Sequence, residues 1–203
     1  MDSIIVSGNS IIVSGRAIKL GVPVRVWHET KLGFPAIGAR TETRAVGLHW
    51  TGGFGGAAQV YRTLNERRLS VQFCIDVDGV IWQFADASAR ASHIGSANGW
   101  CVGIEICNPA SPKAIGREIY TENVQGTKFE CSYFHPAQVT ATRVLVTKLC
   151  EAYGLPYASP PETHALTAGQ LATVRGVVGH FHVTSRKVDP GARLLRELGL
   201  TGP

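Results

Sequence analysis

The segment Ala45-Val46-Gly47-Leu48-His49-Trp50 is an apolar strand, and Thr51-Gly52-Gly53-Phe54-Gly55-Gly56 follows it as a flexible loop. In an extended chain the apolar side chains of this strand share one face, while His49 points from the other. Residues 57–67 then have the spacing of a helix. The loop lacks the Gly-Lys-Ser/Thr ending of a phosphate-binding loop, which disfavours nucleotide binding. Strand, loop and helix in this order are typical of an α/β sheet.

Strands and helices continue to alternate outward from this segment. Residues 71–84 read as a hairpin that turns at Asp78-Gly79, and residues 102–106 read as a strand whose Glu105 faces away from the apolar side chains. A polar or irregular insertion covers residues 108–134. Predicted helices cover residues 136–153, 168–175 and 191–198. The pattern predicts an α/β fold built on a mixed sheet, with no second globular domain.

The N-terminal part is rich in β-prone residues. Ser-Ile-Ile-Val-Ser-Gly occurs at residues 3–8 and again at 10–15, which predicts a local hairpin. Residues 22–27 continue this character. We therefore divide the chain into an N-terminal β-rich extension, residues 1–40, and a main domain, residues 41–203.

Charge and hydropathy restrict the partners and the place of action. The net charge of +5 favours an anionic partner, such as nucleic acid or the bacterial envelope. Lysines and arginines are scattered rather than arranged in a stripe, so we expect no nucleic-acid binding. The apolar runs are too short to span a membrane. The first residues do not read as a secretory signal, which predicts cytoplasmic synthesis and action there or after release or export.

The five cysteines are widely spaced and contain no Cys-x-x-Cys pair. This pattern disfavours both a disulfide framework and a cysteine-based zinc site. We expect buried, reduced thiols.

Two histidines and one aspartate have the chemistry of a catalytic zinc site. His180 follows Val-Val-Gly at a predicted strand end, and Asp189 lies nine residues later in a tight Asp-Pro-Gly loop. Together with His49, they offer zinc three ligands and leave a fourth position for water, which distinguishes a catalytic site from a structural one. Taken alone, His49 is more typical of a packed or surface histidine than of a metal ligand.

Two further residues supply the remaining requirements of metal-assisted hydrolysis. Glu105 can serve as the base that takes a proton from water and passes it to the leaving amine. Lys187 can stabilise a developing oxyanion. From spacing alone, an exposed strand position for Glu105 and a solvated surface position for Lys187 remain open.

Five fragments in a fixed order give the chain a family resemblance over about residues 43–195. They are Gly47-Leu48-His49-Trp50, Phe73-Cys74-Ile75-Asp76-Val77-Asp78-Gly79, Ala91-Ser92-His93-Ile94-Gly95, Val102-Gly103-Ile104-Glu105-Ile106, and Gly179-His180 through Asp189-Pro190-Gly191. The chain resembles the zinc-dependent N-acetylmuramoyl-L-alanine amidases of the amidase-2 type. That family includes phage endolysins, muropeptide-recycling amidases and peptidoglycan recognition proteins.

The resemblance implies a central mixed β-sheet flanked by helices, with zinc in a surface groove. By this resemblance His49, His180 and Asp189 match the metal ligands, Glu105 matches the catalytic acid, and Lys187 matches a lysine implicated in catalysis. His93 falls in a segment that lines the substrate groove, where it either contacts substrate or packs.

Two positions depart from the family pattern. Some phage members carry a catalytic tyrosine where this chain has Val71, so we expect reliance on Glu105. His182 replaces a residue that is often acidic. Because residues two apart share a face on a strand, His182 is a rival to His180 as a ligand.

The implied function is zinc-dependent hydrolysis of the amide bond between N-acetylmuramic acid and L-alanine in peptidoglycan. We expect a bacteriolytic, endolysin-like monomer that degrades the cell wall. One alternative is a cytoplasmic amidase that recycles soluble anhydro-muropeptides. The other is a non-catalytic peptidoglycan-binding module, which the presence of all three ligand candidates and Glu105 disfavours.

Overall fold

A mixed six-stranded sheet forms the centre of the fold in this computed structural model, which describes residues 8–35, 38–109 and 118–200. In spatial order its strands are β10 (Gly176–Gly179), β4 (Ala45–Gly52), β7 (Cys101–Pro109), β5 (Phe73–Ile75), β6 (Ile81–Gln83) and β3 (Val24–Val26). The first four strands are parallel to one another, and the last two run antiparallel to them. The predicted α/β class with a central mixed sheet is confirmed.

The strands at the middle of the sheet are buried on both faces. Parallel strands covered on both sides read as continuous apolar runs, and β4 and β7 both do so. Gly47 of β4 pairs with Gly103 of β7. These two glycines leave space for side chains that pack over the sheet, including His93 above Gly103.

Helices cover the sheet. The single-turn helices α1 (Trp27–Thr30) and α5 (His180–Val183) were not predicted. The helices α2 (Ala57–Glu66), α3 (Pro136–Tyr153), α4 (Ala168–Thr173) and α6 (Ala192–Glu197) lie close to the predicted positions. The long helix α3 begins with Pro136 and ends at Gly154, whose φ of 60° is easily adopted by glycine. Its buried face, which includes Leu145 and Leu149, belongs to the main core. In the described part of the chain, no helix combines the length and apolar character needed to cross a bilayer.

The N-terminal segment contributes to the same core. Strands β1 (Ser10–Val13) and β2 (Arg16–Lys19) form an antiparallel hairpin. The second copy of the repeat thus forms β1, whereas residues 3–7 of the first copy lie outside the described residues. Gln83 of the central sheet holds this hairpin by accepting from the Ile12 amide at 2.8 Å and donating to the Ile12 carbonyl at 2.7 Å. The domain boundary near residue 40 stays a prediction.

The insertion after β7 is more regular than the sequence suggested. Strands β8 (Ile119–Val124) and β9 (Thr127–Ser132) pair in an antiparallel hairpin, so the expectation of an irregular insertion is wrong for these residues. Gln125 and Gly126 form its two-residue turn, with φ angles of 58° and 75°. Such turns are usually recognised by Asn-Gly or Asp-Gly, and a Gln-Gly turn lacks that signal.

Gly103→Ala should lower the free energy of unfolding by about 1–3 kcal/mol, because overpacking forces neighbours to move. A Cβ at this position would stand 2.7 Å from both His93 Nδ1 and Val71 Cγ2. Urea denaturation measures the change. Gly169→Ala is the matched control, because an added Cβ there meets no heavy atom within 4 Å beyond its chain neighbours and the backbone of its own helix. Wild-type stability in Gly103→Ala would contradict this packing.

Candidate metal centre

Strand register brings three of the predicted site residues into one row. His49 of β4 is the Cα partner of Glu105 in β7, and Leu48 is the partner of Gly179 at the end of β10. His180 follows directly as the first residue of α5. Because the three strands are parallel, these residues lie toward the same edge of the sheet.

The ligand candidates converge at that edge. His49 Nδ1 lies 3.0 Å from His180 Nδ1 and 3.2 Å from Asp189 Oδ2, and His180 Nδ1 lies 3.2 Å from the same Asp189 oxygen. The three atoms therefore form a nearly equilateral triangle. Among the residues that the structure describes, these three form the group of histidine, cysteine and acidic side chains placed closely enough to hold a metal ion.

The dimensions of the triangle fit one zinc ion. Three atoms placed tetrahedrally about zinc at ~2.0–2.1 Å would lie about 3.3 Å from one another. Three electron-rich atoms facing one another at such distances repel unless a cation or protons lie among them. Two imidazoles and one carboxylate are also a donor set that zinc accepts in catalytic sites.

His93 fixes which nitrogen of His49 faces the cluster. His93 Nε2 lies 3.4 Å from the Cys101 carbonyl, which can only accept, and His93 Nδ1 lies 2.9 Å from His49 Nε2. If His93 donates to that carbonyl, its Nδ1 accepts from His49 Nε2–H, and His49 Nδ1 keeps a free lone pair. Burial lowers the pKa of both His49 and His93, which favours their neutral forms.

Asp189 is held as a carboxylate. Burial raises the pKa of its carboxyl, but the neighbouring His180 and His49 imidazoles outweigh burial and keep that pKa below its ordinary value. The Asp189 backbone carbonyl accepts from the Phe181 amide at 3.2 Å, which ties the two ends of this segment together. The side chain is thus presented in its charged, metal-binding form.

Glu105 faces the same groove and has a free acceptor. Its Oε2 is buried without a hydrogen-bond partner. Burial, with a further contribution from Asp189, raises the pKa of Glu105 well above its ordinary value. A carboxyl group of this kind can take up and release a proton nearer to neutral pH than an exposed one.

A groove of about 350 Å³ opens over the cluster. His93, Glu105 and the exposed Lys187 line it together with the three ligand candidates. Its other wall is the glycine-rich loop and α2, and Arg67 lies at the end of that helix. The structure therefore places all six predicted site residues around one cavity.

The structure removes the reason for treating His182 as a rival ligand. The strand ends at Gly179, so the shared-face reasoning does not apply. His182 is fully buried, its Nδ1 accepts from the Gly179 amide at 3.0 Å, and its Nε2 donates to the Glu162 carbonyl at 2.8 Å. Burial lowers its pKa to about 4. Both ring nitrogens are engaged with the backbone.

Other features of the site were missed or differ from the family pattern. Val71 is fully buried and offers the groove no polar group. Arg67 and Phe54 were not identified from the sequence as groove residues. Phe54 is 62% exposed in the structure. The Arg67-Arg68 doublet at the end of the predicted helix was the available signal for Arg67. The five cysteines are buried and free, and Cys74 Sγ lies 3.7 Å from Cys107 Sγ.

Comparison with known proteins supports the same family. The family model Amidase_2, N-acetylmuramoyl-L-alanine amidase, matches residues 39–192 and confirms the resemblance. No curated protein sequence matches the chain.

Solved structures of amidases and recognition proteins share the fold. The endolysin LysCS of Clostridium intestinale has 15% identity and a TM-score of 0.55, covering 87% of this chain and 95% of its own. Drosophila peptidoglycan recognition protein SA has 16% identity and a TM-score of 0.54, covering 89% and 94%. The amidase AmiD of E. coli, solved with anhydro-N-acetylmuramic acid-L-Ala-D-γ-Glu-L-Lys, has 19% identity and a TM-score of 0.54, covering 97% and 68%. On the family match, the chain belongs to the N-acetylmuramoyl-L-alanine amidases and is an amidase.

Proposed function

We propose that this amidase uses one zinc ion, held by His49, His180 and Asp189, to hydrolyse the bond between N-acetylmuramic acid and L-alanine in peptidoglycan. The observation that carries the proposal is the triangle of ligand atoms, 3.0–3.2 Å on a side, at the base of the groove. Bound zinc supplies a Lewis acid and lowers the pKa of water to about 7.

The chain's own residues would carry the proton transfers. Glu105 takes a proton from the attacking water and delivers it to the nitrogen of the departing L-alanine. Its raised pKa and its unpartnered Oε2 suit both steps. Lys187, exposed at the groove, would place a positive charge near the developing oxyanion.

His93 would have two roles, one in orienting the metal ligand His49 and one in contacting the substrate. Its hydrogen bond with His49 keeps the Nδ1 lone pair of His49 directed at the cluster. Because His93 also lines the groove, we propose that it contacts the bound glycopeptide.

We further propose that the protein acts as a monomer on intact cell walls, as an endolysin does. The similar LysCS structure is that of an endolysin, and a basic chain of net charge +5 suits an anionic wall. The alternative substrate is a soluble anhydro-muropeptide, because the fold is shared with AmiD bound to such a molecule.

His180→Ala should abolish stoichiometric zinc binding, because two remaining ligands hold the ion too weakly to survive dialysis. Elemental analysis of dialysed protein measures the zinc content, with one ion per chain expected for wild type. His164→Ala is the control, since His164 is exposed and its Nδ1 lies 3.0 Å from the neighbouring Ala165 carbonyl. A His180→Ala protein that retains full zinc would contradict the assignment.

Glu105→Gln should slow hydrolysis by about 10²–10⁴-fold while zinc stays bound, because the amide cannot accept the proton. The rate is measured as free amino groups released from peptidoglycan. The exposed Glu151→Gln serves as the charge-matched control. A rate near that of wild type would rule Glu105 out as the base.

Wild-type activity should decline as the pH falls through the raised pKa of Glu105, since only the ionised carboxylate accepts a proton. The logarithm of kcat/KM plotted against pH gives this limb. A profile that is flat down to the ordinary pKa of a glutamate would contradict the assignment.

Assays on whole walls and on soluble anhydro-muropeptides distinguish the endolysin-like role from the recycling alternative. An endolysin-like enzyme should clear suspended walls at protein concentrations that leave soluble muropeptide largely intact. The measurements are loss of turbidity and chromatography of the soluble substrate. Efficient cleavage of the soluble compound without wall clearing would favour the recycling alternative.

A further inference from the structure

The turn of the β8–β9 hairpin lies against the segment that carries half of the site. This segment, residues 180–189, contains His180, Lys187 and Asp189. The side-chain nitrogen of Gln125 lies 2.7 Å from the Lys187 carbonyl, 2.9 Å from the Thr184 carbonyl and 3.4 Å from the Phe181 carbonyl. One amide group therefore contacts three carbonyls spaced through the segment.

The other atoms of Gln125 fix the orientation of that amide. Its Oε1 accepts from the Ala165 amide at 3.2 Å, and its backbone N–H donates to the Thr163 carbonyl at 2.9 Å. Because the amide oxygen can only accept and the nitrogen can only donate, these partners require the nitrogen to face residues 180–189. Gln125 thus joins that segment to residues 163–165.

The backbone of Gln125 indicates that its side chain is needed there. Its φ of 58° is unfavourable for a residue with a long side chain, and turns of this kind prefer asparagine at the first position. Strained residues persist where the surrounding structure fixes them and often lie near functional sites. Asparagine would suit the turn better but is one methylene too short to reach the same carbonyls.

A second contact from the same hairpin supports the far end of the segment. The Glu122 carboxylate accepts from the Arg193 amide at 2.6 Å and lies 3.4 Å from the Arg196 guanidinium. It also packs against Gly191, where an added Cβ would collide with it. The hairpin therefore supports the chain on both sides of Asp189.

We propose that Gln125 is a positioning residue that fixes residues 180–189 so that His180 and Asp189 face His49 before any ligand binds. Its role in zinc binding rests on the proposed function. Residues 185–187 are exposed, and the segment has only the single turn of α5 as regular structure. Without the Gln125 amide, separate water molecules would bond to the Phe181, Thr184 and Lys187 carbonyls. These carbonyls would then no longer be tied to one group, and the segment would sample other arrangements.

The test compares Gln125→Asn and Gln125→Ala with the control Asn123→Ala, an exposed position on the same hairpin. Hydrogen–deuterium exchange of the metal-free proteins should be faster in residues 181–188 of both Gln125 variants. In Gln125→Asn the hairpin amides of residues 119–132 should exchange as in wild type, because asparagine suits the turn.

Zinc titration against a chromophoric chelator provides the functional readout. The Kd for zinc should rise about 10–100-fold in both Gln125 variants, as for other residues that orient metal ligands, and stay unchanged in Asn123→Ala. A lower kcat with little change in KM should accompany it.

The outcomes separate the two proposals. Wild-type exchange in residues 181–188 of Gln125→Asn would overturn the positioning role, and so would an unchanged Kd for zinc. Faster exchange across the whole hairpin would also overturn it, since that result means general unfolding. If wild type binds no zinc, the proposed function fails, while exchange in the metal-free variants still decides whether Gln125 fixes the segment.

Discussion

The parallel, in-register pairing of β10, β4 and β7 is the constraint on which the site depends. It sets His49 beside Glu105 and brings the chain out of β10 at His180, one position past the partner of Leu48. A slip of one residue would turn His49 toward the opposite face of the sheet and separate it from the other two ligand candidates. The burial of both sheet faces by apolar side chains makes such a slip costly, so the core that stabilises the fold also fixes the site.

The rest of the site is held by contacts that become less rigid with distance from these three strands. His93, which packs over the sheet, and the Cys101 carbonyl of β7 orient His49. Asp189 comes from a loop and depends on contacts with its neighbours for its position. The β8–β9 hairpin, an addition outside the central sheet, contacts that loop through Gln125 and Glu122. The site therefore combines one ligand candidate on a rigid strand with two on a segment supported from outside.

The sequence predicted most of the fold and six of the residues that line the groove, for identifiable physical reasons. Apolar strands interrupted by a single polar residue, as at His49 and Glu105, give a strong local signal. Helix α3 has both a proline at its start and a glycine at its end. Local signals do not report long-range contacts. Hence the pairing of β3 with β6, the contact of His93 with His49 and the hairpin built on a Gln-Gly turn were not predicted. His182 remained a rival to His180 in the sequence because nothing local showed that the strand ends at Gly179.

Zinc-dependent cleavage of one particular bond is the central claim, and mass spectrometry of digested peptidoglycan tests it most directly. Purified walls would be treated with the protein alone, with a chelator, and with a chelator followed by excess zinc. The account predicts stem peptides with a free L-alanine amino terminus and glycan strands with free lactyl groups, lost with chelator and restored by zinc. Cleavage at another bond, or the same products in the presence of chelator, would contradict it.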